Sequence, residues 1–393
     1  MSLRFLTAGE SHGPALTVIL DGIPAGLSLD VSIIDLELAR RQKGYGAGGR
    51  MKIEKDTVQI LSGVLAGETI GAPIAMLVEN ADHVNWKNKA VEPMTKLRPG
   101  HADLIGVVKY GYRDLRPALE RASARETAAR TAVGAICRHF LNQFSIQVGG
   151  WVAAIGPVAM EREPLLEKTF ADMIDRTEAS EVRCPDPDTA GLMKEAIRQA
   201  KEDGDTLGGI IEVAVFGLPP GLGSYMHWDR KLDSRLGGAV LGIQAVKGVE
   251  IGSAFENAQK RGTEVQDSIR SRDDKLYRPT NRAGGLEGGV TNGCPLIIRA
   301  AMKPIATTLT PQQTVDLASK KECSSEYERS DFCPVPRAVP IVEAVVSYVL
   351  ADALLEKLGG DSLSEMQPRF ANLPQTRFSD LELDNQKHTW WPS

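Results

Sequence analysis

The chain has 393 residues, of which 42% are hydrophobic and 25% are charged, and 46 Lys and Arg against 51 Asp and Glu give a net charge of −5. This composition is typical of a globular protein with a large core. The mild negative charge argues against a basic protein that coats nucleic acid. Glycine is frequent, at 38 residues, whereas aromatic residues make up only 5%. We therefore expect the backbone, more than stacked rings, to approach a ligand.

Cysteines and apolar segments narrow the class further. None of the five cysteines has C-x-x-C spacing, which argues against a disulfide framework or a zinc site, and no metal is predicted. The first residues contain no apolar core of a secretory signal. Residues 339–355 are the most apolar stretch, but Glu343 and Asp352 interrupt it and it is too short to span a bilayer. We expect a reduced, cytoplasmic protein, or the mature form of an organellar one, without a membrane partner.

The predicted elements mix strands and helices. Apolar, β-branched runs predict strands at residues 16–20, 58–61, 74–78, 209–216 and 295–301. Four helices are predicted: from a cap at Asp30 to about Gln42, from the S-x-x-E capping box at residues 123–126 through Phe144, from Asp188 or Thr189 to Gly204, and from about Arg337 to Leu358 with Gly359 beyond its end. Without a steady βαβ rhythm, an α+β arrangement is favoured over a doubly wound sheet. Residues 359–393 are polar and irregular and are predicted to be a flexible or docking tail.

Residues 44–49, Gly-Tyr-Gly-Ala-Gly-Gly, match the letters of the dinucleotide fingerprint G-x-G-x-x-G. That fingerprint follows a strand and opens a helix. Here the run follows a predicted helix and leads into a strand-like segment, so a Rossmann interpretation is disfavoured. Basic residues flank it at positions 40, 41, 43, 50 and 52. A mobile basic loop would suit a lid over an anionic substrate, and a solvated surface loop has the same composition.

Arginines, histidines and a second glycine-rich segment indicate a polar site. The capping box places Ser123 and Arg125 at a helix start, which favours an anion, although a capped helix with salt-bridged flanks is the alternative. His12 and His101 lie in glycine-lined loops beside ionisable residues, which suits proton transfer near neutrality. The glycine-rich residues 281–293 would let the backbone approach a ligand closely, and they would equally suit a bulged hairpin. Together they predict an enzyme for a small, multiply anionic, phosphorylated substrate.

Several short motifs then occur in the order and spacing of one known family. They are Gly9-Glu-Ser-His-Gly13, Arg40-Arg41 before Gly44-Tyr-Gly46, Arg98-Pro-Gly-His-Ala-Asp103, Ser123-Ala-Arg-Glu-Thr127, Gly221-Leu-Gly223, Val246-Lys-Gly-Val-Glu250, Gly284-Gly285 with Gly288-Gly289, and Met302-Lys-Pro304. Over residues 1–358 the chain resembles chorismate synthase of the bacterial or plastid type. The resemblance implies an α+β sandwich with helices packed between antiparallel sheets. It also implies a single domain over residues 1–358, a homotetramer, and a cytoplasmic or plastid-stroma location.

The resemblance implies a lyase of the shikimate pathway, which supplies aromatic amino acid biosynthesis. The implied reaction is the 1,4-anti elimination of phosphate and the C6 proton from 5-enolpyruvylshikimate 3-phosphate, which gives chorismate. It requires reduced FMN although no net oxidation occurs, and NADPH is an indirect reductant at most. The expected partners are this small molecule and further copies of the chain, not nucleic acid.

Roles for individual residues follow from the same resemblance. His12 would protonate the departing phosphate, with Ser11 orienting it; His101 would stabilise the reduced flavin near N1; and Asp331 would assist proton removal near N5. The residues implied to bind FMN are Arg121, Ala122, Ser123, Gln244, Ala245, Gly288, Lys303, Pro304, Ile305, Ala306, Thr307 and Arg329. Those implied to hold a phosphate of the substrate or of NADPH are Arg40, Arg41, Ala47, Arg50 and Arg125.

Four positions depart from the family pattern. Ala47 stands where many members have arginine, Ala122 where serine is common, Gln244 where asparagine is usual, and Phe332 where proline is frequent. We expect altered affinity and retained activity, because these positions are peripheral to the histidines.

Two alternatives remain open. A bifunctional form with its own NADPH-dependent flavin reductase activity needs no recognisable extra domain, and turnover in air with NADPH and oxidised FMN would favour it. An RNA-binding or scaffold protein that uses the arginine clusters is disfavoured by the negative net charge and the few aromatic residues. Salt-sensitive RNA binding without flavin binding would favour that second alternative.

Overall fold

A computed structural model describes residues 2–46, 55–162, 167–328 and 330–391. The strands in these ranges are β1 (Arg4–Ala8), β2 (Ala15–Asp21), β3 (Val58–Ile60), β4 (Val64–Leu65), β5 (Glu68–Thr69), β6 (Ile74–Glu79), β7 (Gln147–Ile155), β8 (Val158–Ala159), β9 (Gly209–Phe216), β10 (Val246–Ile251), β11 (Arg270–Arg272), β12 (Lys275–Tyr277), β13 (Leu286–Glu287), β14 (Val290–Thr291), β15 (Leu296–Met302), β16 (Gln313–Asp316) and β17 (Lys321–Ser324). The helices are α1 (Val31–Gln42), α2 (Asp103–Tyr110), α3 (Arg116–Ala122), α4 (Thr127–Asn142), α5 (Glu167–Ala179), α6 (Pro187–Glu202), α7 (Leu232–Leu241), α8 (Ala254–Asn257), α9 (Gly262–Val265), α10 (Val335–Leu358) and α11 (Leu363–Ala371).

Two antiparallel sheets enclose a layer of helices. The first sheet has the strand order β1-β2-β6-β3 and the second has the order β10-β15-β9-β7-β8. Helices α1, α4 and α10 pack against one another, and they contact strands of both sheets. In β2, alternate residues from Leu16 to Leu20 are buried, as expected for a sheet with one face on the core. The predicted α+β sandwich with helices between antiparallel sheets is confirmed.

The second sheet is covered on its outer face as well. Strand β7 is buried at every residue after Gln147, because α5 packs Phe170 over Trp151 and Phe216. A strand buried on both faces shows no alternation of polar and apolar residues. Strand β9 is equally buried but was predicted from its run of apolar residues, whereas Gly149 and Gly150 interrupt such a run in β7, which was not predicted.

Helix α10 runs through the centre of the sandwich. It has 24 residues and is long and apolar enough by composition to cross a membrane, so the expectation that this segment is too short was wrong. Inside the protein, 89% of its most apolar window is buried, as in the core helix of a globular fold. The chain's beginning is tied to it, since Leu3 N–H donates to Asp352 Oδ1 (2.7 Å) and Tyr348 Oη donates to the Leu3 carbonyl (2.9 Å).

A buried ion-pair network joins the three inner helices. The Glu343 carboxylate in α10 accepts from Arg40 Nη1 (2.7 Å), Arg138 Nη1 (3.3 Å) and the Gly150 N–H (2.7 Å). Burial raises the pKa of Glu343, but the charges of Arg40 and Arg138 outweigh it and leave that pKa below its ordinary value. The carboxylate is therefore ionised at neutral pH and links α10 to α1, α4 and the second sheet.

All four predicted helices are present, and three of them begin at a slightly different residue. Helix α1 begins after the Asp30 cap as predicted, whereas α6 is capped by Asp186 and α10 begins at Val335. The Ser123 hydroxyl accepts from the Arg125 N–H and opens a 3-10 turn before α4 begins. Among the longer elements, the strands β1, β7 and β10 and the helices α2, α3, α5, α7 and α11 were not predicted, and neither were the short elements β4, β5, β8, β11, β12, β16, β17, α8 and α9.

The segment after Gly359 begins with an ordered helix. In α11, Leu363 and Met366 are buried in the core. Beyond it, the Phe378 N–H donates to the Asp274 carbonyl (2.9 Å). Residues 381–391 are exposed and contain neither helix nor strand.

Candidate active site

A cavity of about 990 Å³ lies where loops from distant parts of the chain meet. It brings together most of the predicted site residues. Those that line it are Ser11, His12, Arg41, His101, Ala122, Ser123, Arg125, Gln244, Ala245, Lys303, Pro304, Ile305, Ala306, Thr307 and Asp331. All three residues predicted to be catalytic therefore face one space.

Three predicted residues lie elsewhere. The buried Arg40 guanidinium binds Glu37 (2.5 Å), Glu178 (2.6 Å) and Glu343 (2.7 Å), so its donors are used inside the fold. Arg121 is exposed outside the cavity lining and donates to the carbonyl oxygen of Gly9 (3.0 Å). Gly288 turns the hairpin between β13 and β14 and is not a lining residue. The three predicted positions Ala47, Arg50 and Arg329 lie outside the described residues.

His12 follows β1 and is held through its backbone and its ring by one carboxylate. Its N–H donates to Glu120 Oε2 (2.8 Å), and its Nδ1 lies 2.7 Å from Glu120 Oε1. The ring packs against Trp86, with centroids 4.3 Å apart. Ser11, which the sequence analysis expects to orient His12, accepts from the Ser123 hydroxyl (3.1 Å). The His12 ring therefore contacts Glu120, which was not among the predicted site residues.

His101 shares a buried carboxylate with an arginine. Asp103, at the start of α2, has Oδ1 2.6 Å from His101 Nδ1, and it accepts from Arg98 Nε and Nη2, both at 2.8 Å. Burial raises the pKa of Asp103, but the hydrogen bonds from Arg98 and His101 outweigh it and hold that pKa well below its usual value. Asp103 is therefore an ionised acceptor that faces His101 Nδ1, and Arg98 Nη2, which can only donate, lies 2.9 Å from the same nitrogen.

Three arginines concentrate positive charge at the cavity. Arg41 and Arg125 both bind Asp56, at 3.3 and 2.7 Å, and Arg337 binds Asp331 at 2.5 Å. Burial, followed by the nearby guanidinium of Arg337, lowers the pKa of Arg41 to about 9, with Asp56 opposing the shift. Among the described residues, these three guanidinium groups pair with two carboxylates, which would favour an anion in the cavity.

One wall offers an unused acceptor. Gln244 Nε2 lies 3.4 Å from Glu126 Oε2, which fixes the orientation of the amide because a carboxylate only accepts. Gln244 Oε1 is buried and has no hydrogen-bond partner among the described residues. Such an orphaned acceptor points to a ligand with a donor group. On the same cavity, Lys303 Nζ donates to the Gly100 carbonyl (2.7 Å).

Further lining residues were missed by the sequence analysis. Arg98 belongs to the motif Arg98-Pro-Gly-His-Ala-Asp103, so its position three residues before His101 was a usable signal. Trp86 and Lys89 follow a short 3-10 helix, Ala81–Asn85, and Arg337 lies in the first turn of α10. Nothing in the local sequence of these three distinguishes them from surface residues.

The fold and the cavity define an enzyme that moves protons on a small, multiply anionic molecule. The sequence model of the family described as chorismate synthase matches residues 3–355. The chorismate synthase of Symbiobacterium thermophilum is 52% identical over 383 residues, covering 94% of this chain and 97% of the relative; that of Aquifex aeolicus is 51% identical, covering 94% and 96%. A crystal structure of chorismate synthase is 43% identical, with a TM-score of 0.79 over 95% of this chain and 97% of that one.

The chain belongs to the chorismate synthase family. Members are lyases that convert 5-enolpyruvylshikimate 3-phosphate to chorismate in the shikimate pathway, and reduced FMN is characteristic of the family. The predicted family, fold and lyase activity are confirmed.

Proposed function

We propose that this cavity binds 5-enolpyruvylshikimate 3-phosphate together with reduced FMN and eliminates phosphate and the C6 proton from the substrate. The observation that carries the proposal is the cluster of Arg41, Arg125 and Arg337, in which burial and a neighbouring guanidinium lower the pKa of Arg41. The substrate has two carboxylates and a phosphate, which complement the positive charges of this cluster. A volume of about 990 Å³ is at the upper end of what small-molecule sites occupy, which leaves room for two ligands.

The residues of the cavity fit a flavin mononucleotide. Gln244 Oε1 is a buried acceptor without a partner, and a flavin ring carries an N–H donor. Ala245 and residues 303–307 would hold the group together with Gln244, because they line the same space. Reduced FMN, when bound, supplies electron density to the substrate as phosphate leaves. Arg121 and Gly288 do not line this cavity, so their positions in a single chain do not support their predicted contacts with FMN.

The chain's own residues would supply the proton steps. His12 gives a proton to the departing phosphate oxygen, while the breaking C–O bond leaves its electron pair on that oxygen. Asp331, held by Arg337, assists removal of the C6 proton. Asp103 would orient the His101 ring, whose Nε2 would offer a donor to the reduced flavin when the ring is protonated. Each role needs its group in a fixed orientation, and the carboxylate or guanidinium partner provides it.

The experiment that tests the proposal is an anaerobic assay with chemically reduced FMN and 5-enolpyruvylshikimate 3-phosphate. We expect phosphate and chorismate to form in equal amounts, with oxidised FMN as the inactive control. If phosphate is not released with reduced FMN, the proposal is wrong. The same assay in air with NADPH and oxidised FMN tests the reductant. The ion pairs of Arg40 inside the fold remove one predicted ligand for an NADPH phosphate.

We also propose that the chain forms a cytoplasmic homotetramer in which residues 1–358 are one domain. The relatives described above are bacterial. On the outer face of the first sheet, Leu6 and Ile19 are cross-strand neighbours and are 71% and 48% exposed, which suits a protein–protein contact. The buried core extends from Leu3 to Leu358, which supports one domain. Light scattering should give a mass near four times 42.5 kDa; a monomer would contradict the assembly.

A further inference from the structure

Glu120 lies in α3 and uses both carboxylate oxygens on a single residue. Oε2 accepts from the His12 N–H at 2.8 Å, and Oε1 lies 2.7 Å from His12 Nδ1. Its side chain is only 12% exposed. Burial raises the pKa of Glu120, but the hydrogen bonds from the His12 ring and backbone outweigh it, and the pKa lies below its ordinary value. Glu120 is therefore an ionised acceptor at neutral pH.

An ionised carboxylate has no proton to donate, so the proton between Glu120 and His12 belongs to Nδ1. We propose that Glu120 is a positioning residue that fixes His12 in the Nδ1–H tautomer, so that Nε2 is the nitrogen that exchanges the proton of the reaction. This inference rests on the proposed role of His12 as proton donor. It assigns Glu120 a part in the reaction although the chain separates the two residues by 108 positions.

The ring is held by its face as well as by its edge. Trp86 packs against it with an interplanar angle of 39°, and Trp86 Nε1 donates to Asp82 Oδ2 (3.3 Å), so the indole is itself anchored. His83 Nδ1 lies 3.0 Å from the His12 carbonyl oxygen. With edge, face and backbone all contacted, rotation of the ring would break at least one interaction. The orientation of Nε2 is therefore set before substrate arrives.

The proton balance follows from this geometry. The imidazolium gives its Nε2 proton to the phosphate oxygen, and the N–H electron pair stays on Nε2. The ring that remains is neutral and still donates Nδ1–H to Glu120. If the neutral ring carried its proton on Nε2 instead, a bare Nδ1 would face the ionised Glu120 and this hydrogen bond would be lost.

Glu120→Gln tests the positioning role without changing side-chain volume, because glutamine has nearly the same shape as glutamate. His12 presents two N–H donors, and a glutamine side chain has one acceptor oxygen and one NH2 group. Either the backbone N–H or the ring must then face the NH2 group. We expect kcat to fall by about 10²-fold or more, with KM changed by less than about threefold. Glu120→Asp keeps the charge and should recover part of the lost kcat.

Asp229 offers a matched control. Its Oδ1 lies 2.6 Å from His227 Nδ1 in an exposed pair outside the cavity lining. Asp229→Asn makes the same chemical change to a carboxylate–histidine pair, and kcat should stay within about twofold of wild type. A loss as large as that of Glu120→Gln would overturn the assignment, because the effect would not depend on the cavity.

The tautomer of His12 can be measured by NMR, independently of enzyme activity. Selective ¹⁵N-histidine labelling of the whole protein, with His12→Ala to assign the signal, should show neutral His12 protonated at Nδ1 and should show this preference lost in Glu120→Gln. Protonation at Nε2 in the wild type would overturn the inference even if the variant failed to fold. So would a wild-type kcat in Glu120→Gln. Full activity of His12→Ala would overturn the proposed role of His12 and, with it, the part of Glu120 in the reaction, whereas the tautomer measurement tests the contact between the two residues separately.

Discussion

An alanine at position 134 should force two core helices apart. Gly134 lies in α4 where that helix meets α10, and an added Cβ would lie 2.2 Å from the Ala344 Cβ and 2.3 Å from its Cα. Non-bonded carbon atoms prefer about 3.5–4.0 Å, so the helices must separate by more than about 1 Å. The sheets on either side resist that movement because the core is close-packed. Overpacking costs about 1–3 kcal/mol, and we expect the upper end because the obstacle includes backbone.

The expected change in melting temperature follows from chain length. At about 2.1 cal/mol/K per residue, 393 residues give an unfolding entropy near 0.8 kcal/mol/K, so a loss of about 3 kcal/mol lowers the midpoint by about 4 °C. Gly191 in α6 is the matched control, since nothing lies within 4 Å of an added Cβ. Gly191→Ala should raise the midpoint by about 1 °C, because alanine favours a helix. Equal shifts in circular dichroism melts, or the opposite order, would refute the packing argument.

Three further substitutions test the site and the core. Asp103→Asn should lower the melting temperature at pH 7. Because the folded pKa of Asp103 lies below its unfolded value, the stabilisation from this carboxylate is present above about pH 4 and is lost below that pH. The difference in melting temperature between variant and wild type should therefore narrow as the pH falls below about 4. His101→Ala should fold but lose activity by about 10²–10⁴-fold, and near wild-type turnover in the anaerobic assay would contradict its role. Glu343→Gln should cost about 3–5 kcal/mol in urea unfolding, because Arg40 and Arg138 keep their charges in the core; an unchanged midpoint would show that the network contributes little.

Elements with a strong local signal could be predicted from the sequence. Helix α1 has its Asp30 cap, and β2 alternates buried and exposed residues. Strand β7 has neither a cap nor an alternation of buried and exposed residues. Its Gly149 is required by packing, since an added Cβ would lie 2.4 Å from Ile174 Cδ1 in α5. That requirement belongs to tertiary structure, which no window of residues reveals.

The site shows the same division. The loops around His12 and His101 carry their glycines and ionisable neighbours locally, so both histidines could be selected. Glu120 and Arg337 act on partners from other segments, and their own surroundings are ordinary. Arg40 was assigned to phosphate with Arg41, but adjacent helical residues point about 100° apart, and the structure directs one guanidinium to Glu343 and the other to the cavity.

The position of α10 has a consequence for the order of events during synthesis. The helix that fills the middle of the sandwich begins at Val335, so the ribosome makes it after the strands of both large sheets. Until it emerges, only α1 and α4 can cover the inner faces of those sheets, and a growing chain with a partly exposed core is prone to aggregation. We expect the nascent protein to depend on chaperones and to gain its cavity only once α10 has emerged, because Pro334 and Arg337 are among its lining residues.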